Sequence, residues 1–483
     1  MELPGSVEAA LLSLHNDGAF RGVAIDSRQA TDGDLFVALP GEHVDGHQFV
    51  GAALVRGARG ALVRRDWAAE HLPTLDPSVA IVADADTLAL THPEDTRDSL
   101  TAQRIVFAVT DPLATLQRLS AIHRRRMPAT VIGITGSVGK TSTKEVTAAV
   151  LRQRLRTHAS GKSFNNEIGV PLTLLGLLPE HEASVVEMGT YGPGEIAQLC
   201  AWARPDIGIV TNVGVSHLER MKTPEVIAQA KGELIEALPA DGVAILNNDD
   251  PRVRGMAARS RARIFSYGLT SAAELWADAI EGHGLDGISF TAHYHGEAHR
   301  LRLPLLGRHA VLIALPAIAA GLALGLDWAA ITAGLCDAGQ RSRIVVVRGI
   351  NGATILDDTY NASPQSCKAA LDLLADIPGR HTAVFGDMAE LGPIEEEGHR
   401  EVGRAAAALV DRLVVVGSKA RWIGEEAQRQ PRAPQTLFLR TNAEAAELLG
   451  PTLSATDVVL VKGARAARTE EIVAALRAPE NGR

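Results

Sequence analysis

The residues whose types and spacing carry the most definite chemistry lie between Val131 and Thr143, in the run VIGITGSVGKTST. An apolar stretch with strand character enters a glycine-rich turn that ends in Gly139-Lys140-Thr141 and opens a helix, an arrangement suited to holding phosphate. Gly136 and Gly139 lack a Cβ, so the turn takes unusual dihedrals and brings its N–H groups close to an anion. The following helix adds the positive end of its dipole. The cradle spans Gly136, Ser137, Val138, Gly139, Lys140, Thr141 and Ser142. Within it Lys140 reaches the outer phosphates, and the Thr141 hydroxyl joins the oxygen shell of a magnesium ion. The usual longer consensus wants a further glycine where Ile134 stands, so the match is to the shorter loop T-G-x-x-G-K-[ST]. A dinucleotide-binding turn fits less well: Gly133, Gly136 and Gly139 are spaced G-x-x-G-x-x-G rather than G-x-G-x-x-G, and a lysine follows. A purely structural turn leaves Lys140 and Thr141 together unexplained.

Two further side chains belong to the same edge. Glu187 ends the apolar strand SVVE, and His217 follows the strand in DIGIVTNVG by a short loop. Both are expected at the carboxyl edge of the sheet that carries Lys140, where a carboxylate and an imidazole serve a nucleotide-bound magnesium. Taken singly, Glu187 also reads as a capping or ion-paired carboxylate and His217 as a structural histidine; their shared placement favours the metal. Lys231, in IAQAKGELIEAL, lies on an amphipathic helix, where a lysine is ordinarily solvated.

The elements that must position these groups follow from the apolar pattern. From Val131 the chain alternates strand and helix: VIGIT, KEVTAAVLRQRL, SVVEMG, AQLCAWA, DIGIVTNVG, PEVIAQAKGELIEAL and VAILNND. Such alternation means a parallel sheet covered by helices. A more β-rich piece runs from Ile264 to Leu305, followed by an apolar helix in Ala310 to Leu326 that is too short and too broken by Pro316, Gly321 and Gly325 to span a membrane. A second series starts near Ile344 with IVVVRG, ATILDD, a helix over Ser366 to Leu374, HTAVFGD, RLVVVG and DVVLVKG; its strands end in Asp, Gly or Lys at the edge where open α/β sheets place ligands. The region before the glycine turn is mixed, with the short strands ALVRR and AIVAD, a polar loop between Asp84 and Gln103, and a helix over Leu113 to Arg126. The fold class is therefore α/β in three domains, with boundaries near residues 127 and 340.

Bulk properties narrow the class. The net charge of -9 argues against nonspecific nucleic-acid binding and leaves no basic tail for a membrane surface. Cys200, Cys336 and Cys367 are odd in number and far apart, which supports neither a disulfide framework nor a zinc cluster and fits a reducing cytoplasm. The start MELPGSVEAALLSLHNDG is acidic and lacks the basic and apolar parts of a secretion signal.

Read together, the motifs resemble those of the Mur ligases of peptidoglycan synthesis over nearly the whole chain. The first domain contributes Asp26-Ser27-Arg28, Gly33 to Leu39, Gly41-Glu42 and Asp45-Gly46-His47-Gln48-Phe49. The second contributes Thr135 to Ser142, Phe164 to Pro171, Glu187-Met188-Gly189, Pro193 to Ile196, Thr211-Asn212-Val213 with His217, and Ala230-Lys231-Gly232-Glu233. The third contributes Gly339-Gln340-Arg341, Asp357 to Pro364, Gly386 to Gly392 and Lys462-Gly463. The Asn165-Asn166-Glu167 run, Glu187-Met188-Gly189 and Tyr360-Asn361-Ala362 point to the dipeptide-adding branch. The D-N-P-R signature of the branch that adds the third residue is absent; Asp250-Pro251-Arg252 is similar but lies in the middle domain.

The resemblance implies a mixed α/β N-terminal domain, residues 1–127, for a UDP-muramoyl substrate; a central P-loop domain with a parallel sheet, 128–340, for ATP; and a C-terminal Rossmann-like α/β domain, 341–483. It implies an ATP- and magnesium-dependent, ADP-forming ligase that adds D-alanyl-D-alanine to UDP-N-acetylmuramoyl-tripeptide through an acyl phosphate. Such an enzyme is cytoplasmic and monomeric, with no nucleic-acid partner and no membrane insertion, and supports cell-wall biogenesis, cell shape and division. Carried over residue by residue, Lys140, Lys231, His217 and Arg341 become catalytic; Arg341 and Asp358 join the glycine turn at the nucleotide. Thr141, Glu187, His217 and a carbamylated Lys231 hold metal. Ser27, Arg28, Asp45, His47, Asn165, Asn166, Tyr360 and Asn361 contact substrate.

Departures from the family pattern also stand in the chain. Ala310 and Ile313 occupy positions where the family shows two asparagines, at least one of which helps hold the adenine. Pro316 should kink the same helix or delay its start. Ala464 and Ala466 replace small polar and glycine residues, and the segment from Asp86 to Gln103 is long. Two alternatives therefore stay open: a ligase of the same architecture acting on other carboxylates and amines, and a phosphate-binding module without turnover.

Overall fold

The computed structural model of the chain describes residues 20–41, 44–71, 79–82, 104–161, 164–215, 218–338 and 344–479. His217, Arg341, and the segment from Asp86 to Gln103 lie outside the described residues. The chain divides into two compact units, one holding residues up to 131 with 158–186 and 198–204, the other 132–157, 187–197 and residues from 205 on.

The first sheet is all parallel, in the order β1-β2-β3-β5-β4: β1 (Gly22–Ala24), β2 (Asp34–Val37), β3 (Gly60–Arg64), β4 (Val79–Val82) and β5 (Arg104–Val109). Its strands alternate between two cores. Leu35, Val37, Leu62, Ile105 and Phe107 face one side, and Phe36, Ala61, Val63, Val106 and Ala108 the other. Both faces are covered, which is why these strands read as apolar runs rather than as an alternation of apolar and polar residues. The helix expected over Leu113 to Arg126 is Pro112–Arg126, capped by Asp111, whose carboxylate accepts the Ala114 N–H at 3.0 Å.

The second sheet has nine strands: β6 (Thr130–Thr135), β7 (Thr157–Ala159), β8 (Ala183–Glu187), β9 (Ile207–Val210), β10 (Val243–Asn247), β11 (Arg263–Gly268), β12 (Leu275–Gly282), β13 (Ile288–Tyr294) and β14 (Glu297–Leu303). Their order is β14-β13-β12-β11-β10-β9-β6-β8-β7. Strands β6, β9, β10 and β11 pair in parallel, whereas β12, β13 and β14 form the antiparallel extension foreshadowed by the β-rich piece after Ile264. Helices α1 (Lys140–Leu151), α2 (Gly169–Leu175), α3 (Glu195–Ala203), α4 (Pro224–Glu236) and α5 (Val311–Ala323) belong to this part of the chain. Pro316 does not delay the start of the helix: α5 begins ahead of it at Val311 and continues to Ala323, with Pro316 itself buried. No described helix is long and apolar enough to cross a membrane.

The third sheet runs β15-β16-β20-β17-β18-β19: β15 (Val345–Arg348), β16 (Thr354–Asp358), β17 (Arg380–Gly386), β18 (Arg412–Val416), β19 (Gln435–Leu439) and β20 (Asp457–Lys462). All pair in parallel except β15, which runs antiparallel to β16. Leu356, Phe385, Leu413 and Leu460 face one core, and Ile355, Val384, Val414 and Val459 the other. Helix α6 (Pro364–Ala375) leaves the β16 edge behind a capping box in which Ser363 and Ser366 satisfy each other's backbone N–H groups.

Candidate active site

The glycine turn joins the end of β6 to α1. Its two glycines are required for different reasons. At Gly136, with φ +152°, a Cβ would lie 1.9 Å from Thr211 Oγ1, so space forbids a side chain; at Gly139, with φ +88°, nothing lies within 4 Å and the dihedral alone asks for glycine. The turn is gripped by the segment after β9. Asn212 accepts the Ser137 N–H through its carbonyl (3.0 Å) and the Val138 N–H through Oδ1 (3.0 Å), while its Nδ2 donates to Val138 O (2.9 Å). Thr211 Oγ1 donates to the same carbonyl at 2.8 Å, and Gly214 N–H to Ser137 Oγ at 2.9 Å.

Ser137 and Val138 thus spend their N–H groups within the chain and shape the turn. The first helical bond of α1 is made by Thr143 to Gly139 O at 2.8 Å, so the N–H groups of Lys140, Thr141 and Ser142 head the helix toward an anion. Lys140 folds over the turn, its Nζ donating to Gly136 O at 2.8 Å and Ser137 O at 3.4 Å.

Glu187 closes β8, whose neighbour in the sheet is β6, and is 1% exposed. The next residue, Met188, donates its N–H to Ile134 O at 2.8 Å, which fixes the end of β8 beside the start of the turn. Lys231 on α4 is not a solvated lysine. It is 2% exposed, and among the described residues it makes no ion pair. Burial, with the Lys140 ammonium nearby, holds its amine well below the ordinary lysine range. The helix that carries it is fixed by Thr223 at its N-cap and by Glu233, whose carboxylate accepts the Gly194 N–H at 2.6 Å and the Ala197 N–H at 3.0 Å.

At the edge of the third sheet, Asp358 and Lys462 end adjacent strands in direct register, and Lys462 Nζ reaches Asp358 Oδ2 at 2.5 Å and Asn361 O at 2.9 Å. Tyr360, between them, is 49% exposed, and Asn361 Oδ1 accepts the Ala362 N–H at 2.9 Å. His309 senses Asp358 and Lys462; burial pushes its imidazole below the usual value, and its buried Nδ1 has no hydrogen-bond partner among the described residues.

In the first unit, Asp26 and Arg28 make a two-pronged pair at 2.9 and 2.7 Å around a half-turn that buries Ser27, and the Arg28 bonds bring the Asp26 carboxyl down to about 2. Arg28 remains exposed. His47 is buried, with Nδ1 on Asp45 at 2.6 Å and Nε2 accepting the Arg64 N–H at 3.0 Å, so both ring nitrogens serve to lock the 45–49 turn to the end of β3. Asn166 Oδ1 accepts the Gly169 N–H at 2.9 Å at the head of α2, beside the half-buried Asn165.

Three family models cover this chain: the Mur ligase family catalytic domain at residues 19–123, the Mur ligase middle domain at 134–321 and the Mur ligase glutamate ligase domain at 342–465. A UDP-N-acetylmuramoyl-tripeptide--D-alanyl-D-alanine ligase from Mycobacterium bovis is 36% identical over 95% of this chain and 92% of its own. The chain belongs to the Mur ligase family. Among solved structures, MurF from Acinetobacter baumannii superposes with a TM-score of 0.78 at 28% identity, covering 98% of this chain and 99% of that one. MurF from Thermotoga maritima, solved in complex with ADP, gives 0.74 at 26% identity, covering 95% and 97%. The architecture is the three-domain α/β fold of a Mur ligase, each matched region contributing one of the three sheets.

Within this Mur ligase the residues present suit magnesium bound together with phosphate. Among the described residues no group of three or more His, Cys, Asp or Glu could hold a metal by itself. Magnesium, however, is ordinarily taken by one or two carboxylates with phosphate oxygens and water, and the buried Glu187 and the Thr141 hydroxyl at the phosphate turn offer that donor set. Sequence reasoning passed over Asn212, Lys462 and Glu233 as working residues. Each stood in a quoted motif, but its partner lies far off in sequence.

Proposed function

We infer that the chain is an ADP-forming, ATP-dependent ligase that joins D-alanyl-D-alanine to UDP-N-acetylmuramoyl-tripeptide in the synthesis of peptidoglycan precursors. The observation that carries this reading is the pairing of a phosphate turn with a buried, depressed lysine at one sheet edge: Lys140 on the turn and Lys231 on α4. The same activity in the name of the Mycobacterium bovis relative, 36% identical over 95% of this chain, supports it over a ligase acting elsewhere.

A carboxylate is a poor acylating agent. Its oxygen attacks the terminal phosphorus of ATP, ADP leaves, and the acyl phosphate so formed is attacked by the neutral amine of the dipeptide; the C–N bond forms, the C–O bond breaks, phosphate leaves and the amine proton is released. The protein's task is placement and charge neutralisation. The head of α1 and Lys140 hold the outer phosphates. Thr141 and Glu187 would hold magnesium, which would supply charge neutralisation on the phosphate oxygens. His217 would complete a second metal position with Lys231, whose neutral amine would bond to the carbon of carbon dioxide and release a proton to become a carbamate anion. Arg341 and Asp358 complete the nucleotide site, and Tyr360 and Asn361 stand by the incoming amine. Ser27, Arg28, Asn165 and Asn166 receive the UDP-muramoyl substrate, with Asp45 and His47 bracing the turn behind them.

On this reading residues 1–127, 128–340 and 341–483 are the working domains, and the enzyme is a cytoplasmic monomer. The test is a panel of UDP-muramoyl-peptides and amines with ATP and magnesium, read by ADP release and product mass. A product joining D-alanyl-D-alanine to the tripeptide is expected; ADP release with no such product, or with another amine preferred, overturns it.

A further inference from the structure

Three lysines are buried among the described residues. Lys144 pairs with Glu145 at 2.8 Å and Lys231 belongs to the site above, which leaves Lys462 without an assigned task. Lys462 and Asp358 are both buried, and they meet at the ends of the neighbouring parallel strands β20 and β16. A buried ion pair is a poor device for stability, because desolvating both charges offsets most of their attraction and an apolar pair of similar volume commonly does as well. Its geometry serves placement better than it serves stability.

The segment leaving β16 shows what is placed. Thr359 Oγ1 donates to Asp357 Oδ1 at 2.7 Å, Lys462 Nζ donates to Asn361 O at 2.9 Å, and the capping box at Ser363 anchors α6. The chain is thereby pinned on both sides of Tyr360, whose ring is left half exposed. Nearby, the buried Nδ1 of His309 has no hydrogen-bond partner among the described residues, and Arg308 pairs with Asp376 at 3.2 Å beyond the end of α6.

We propose that Lys462 is the positioning residue for the Asp358–Asn361 segment. By occupying Asp358 Oδ2 and the Asn361 carbonyl, it aims Asp358 Oδ1 as an acceptor for a nucleotide hydroxyl and fixes the loop that carries Tyr360. The proposal rests on the reading of Asp358 as a nucleotide contact. Lys462 itself touches no reacting atom.

The test is a double-mutant cycle in the full-length enzyme with Lys462→Met, Asp358→Asn and the double variant, reading KM for ATP and kcat separately, with thermal melting as the check on folding. Each single change is expected to raise KM for ATP roughly tenfold, the size of one lost charge-assisted hydrogen bond, and the double variant no further than the worse single, because both act through one carboxylate. If Lys462→Met alone does not fold, Lys462→Gln, which keeps a donor but no charge, takes its place: a raised KM for ATP supports the proposal and a normal one overturns it. Multiplying effects overturn it. So does a normal KM for ATP in Lys462→Met when Asp358→Asn is impaired, which leaves the reading of Asp358 intact. A normal KM in Asp358→Asn removes that reading and the proposal with it.

Discussion

Asn212 holds Val138 from both sides, accepting its N–H at 3.0 Å and donating to its carbonyl at 2.9 Å. One side chain in the segment after β9 therefore sets the conformation of the phosphate turn after β6. Asn212→Ala leaves a backbone donor without its partner while the Val138 carbonyl keeps Thr211, a loss of about 1–3 kcal/mol. The expected result is a lower melting temperature together with weaker ATP binding by isothermal titration. Asn212→Asp keeps the acceptor but sets a carboxylate against the Val138 carbonyl, and is expected to bind ATP more weakly than the alanine variant.

Gly136 and Gly139 separate space from dihedral. Gly139→Ala meets no neighbour and carries only the strain of a left-handed residue, about 1–2 kcal/mol. Gly136→Ala adds a collision with Thr211 Oγ1, whose own bond to Val138 O fixes it in place. Thermal denaturation of the two variants should rank Gly136→Ala well below Gly139→Ala; equal melting temperatures would show that the turn yields at Thr211.

Lys140 donates to the Gly136 and Ser137 carbonyls of its own turn, at the surface end of α1 rather than in a core, so removing it should spare the fold. Lys140→Ala is expected to keep a near-normal melt and to lose amide formation. Retained turnover would remove Lys140 from the phosphates.

How much of this was legible in sequence differs from residue to residue. The turn was legible because glycine spacing, Lys140 and Thr141 are local and each is dictated by backbone geometry. The fate of Lys231 was not: an amphipathic pattern marks an apolar stripe but does not say whether a lysine at its margin is covered, and here α4 turns it inward. The strand β19 was missed because QTLFL lies at the sheet edge, half covered, and lacks the unbroken apolar run of its buried neighbours. The Asp358–Lys462 pair needed the strand order β16-β20, which joins segments far apart in sequence.

The depressed Lys231 amine gives a pH prediction with a definite sign. Its folded value lies well below 10.5, so between the two values the unfolded chain binds the extra proton and stability rises with pH; below the folded value the cost of burying an ammonium is constant. Lys231→Met should therefore melt higher than the parent at acidic and neutral pH while losing activity. Carbon dioxide adds only to the neutral amine, so parent activity is expected to fall as pH drops and to rise with added bicarbonate, with a labelled carbamate visible by carbon NMR. Lys231→Ala should recover in part with short carboxylic acids. Near-normal activity in the untreated variant would exclude a role for the amine.

Glu233 ties the helix of Lys231 to the segment that follows Glu187. Its two oxygens accept the N–H groups of Gly194 and Ala197 at the head of α3, where a carboxylate also meets the positive end of the helix dipole. Glu233→Ala leaves both donors unmet, at about 1–3 kcal/mol each before water reaches them. Glu233→Gln satisfies one of them and turns an amide N–H toward the other, so it should fall between the parent and the alanine variant. Because the two arms that this carboxylate joins each carry a group assigned to the metal region, the loss should appear as a higher magnesium concentration for half-maximal activity, with KM for the peptide substrate little changed. A magnesium titration that superposes on the parent, in a variant whose melt is lowered, would reduce Glu233 to a structural cap.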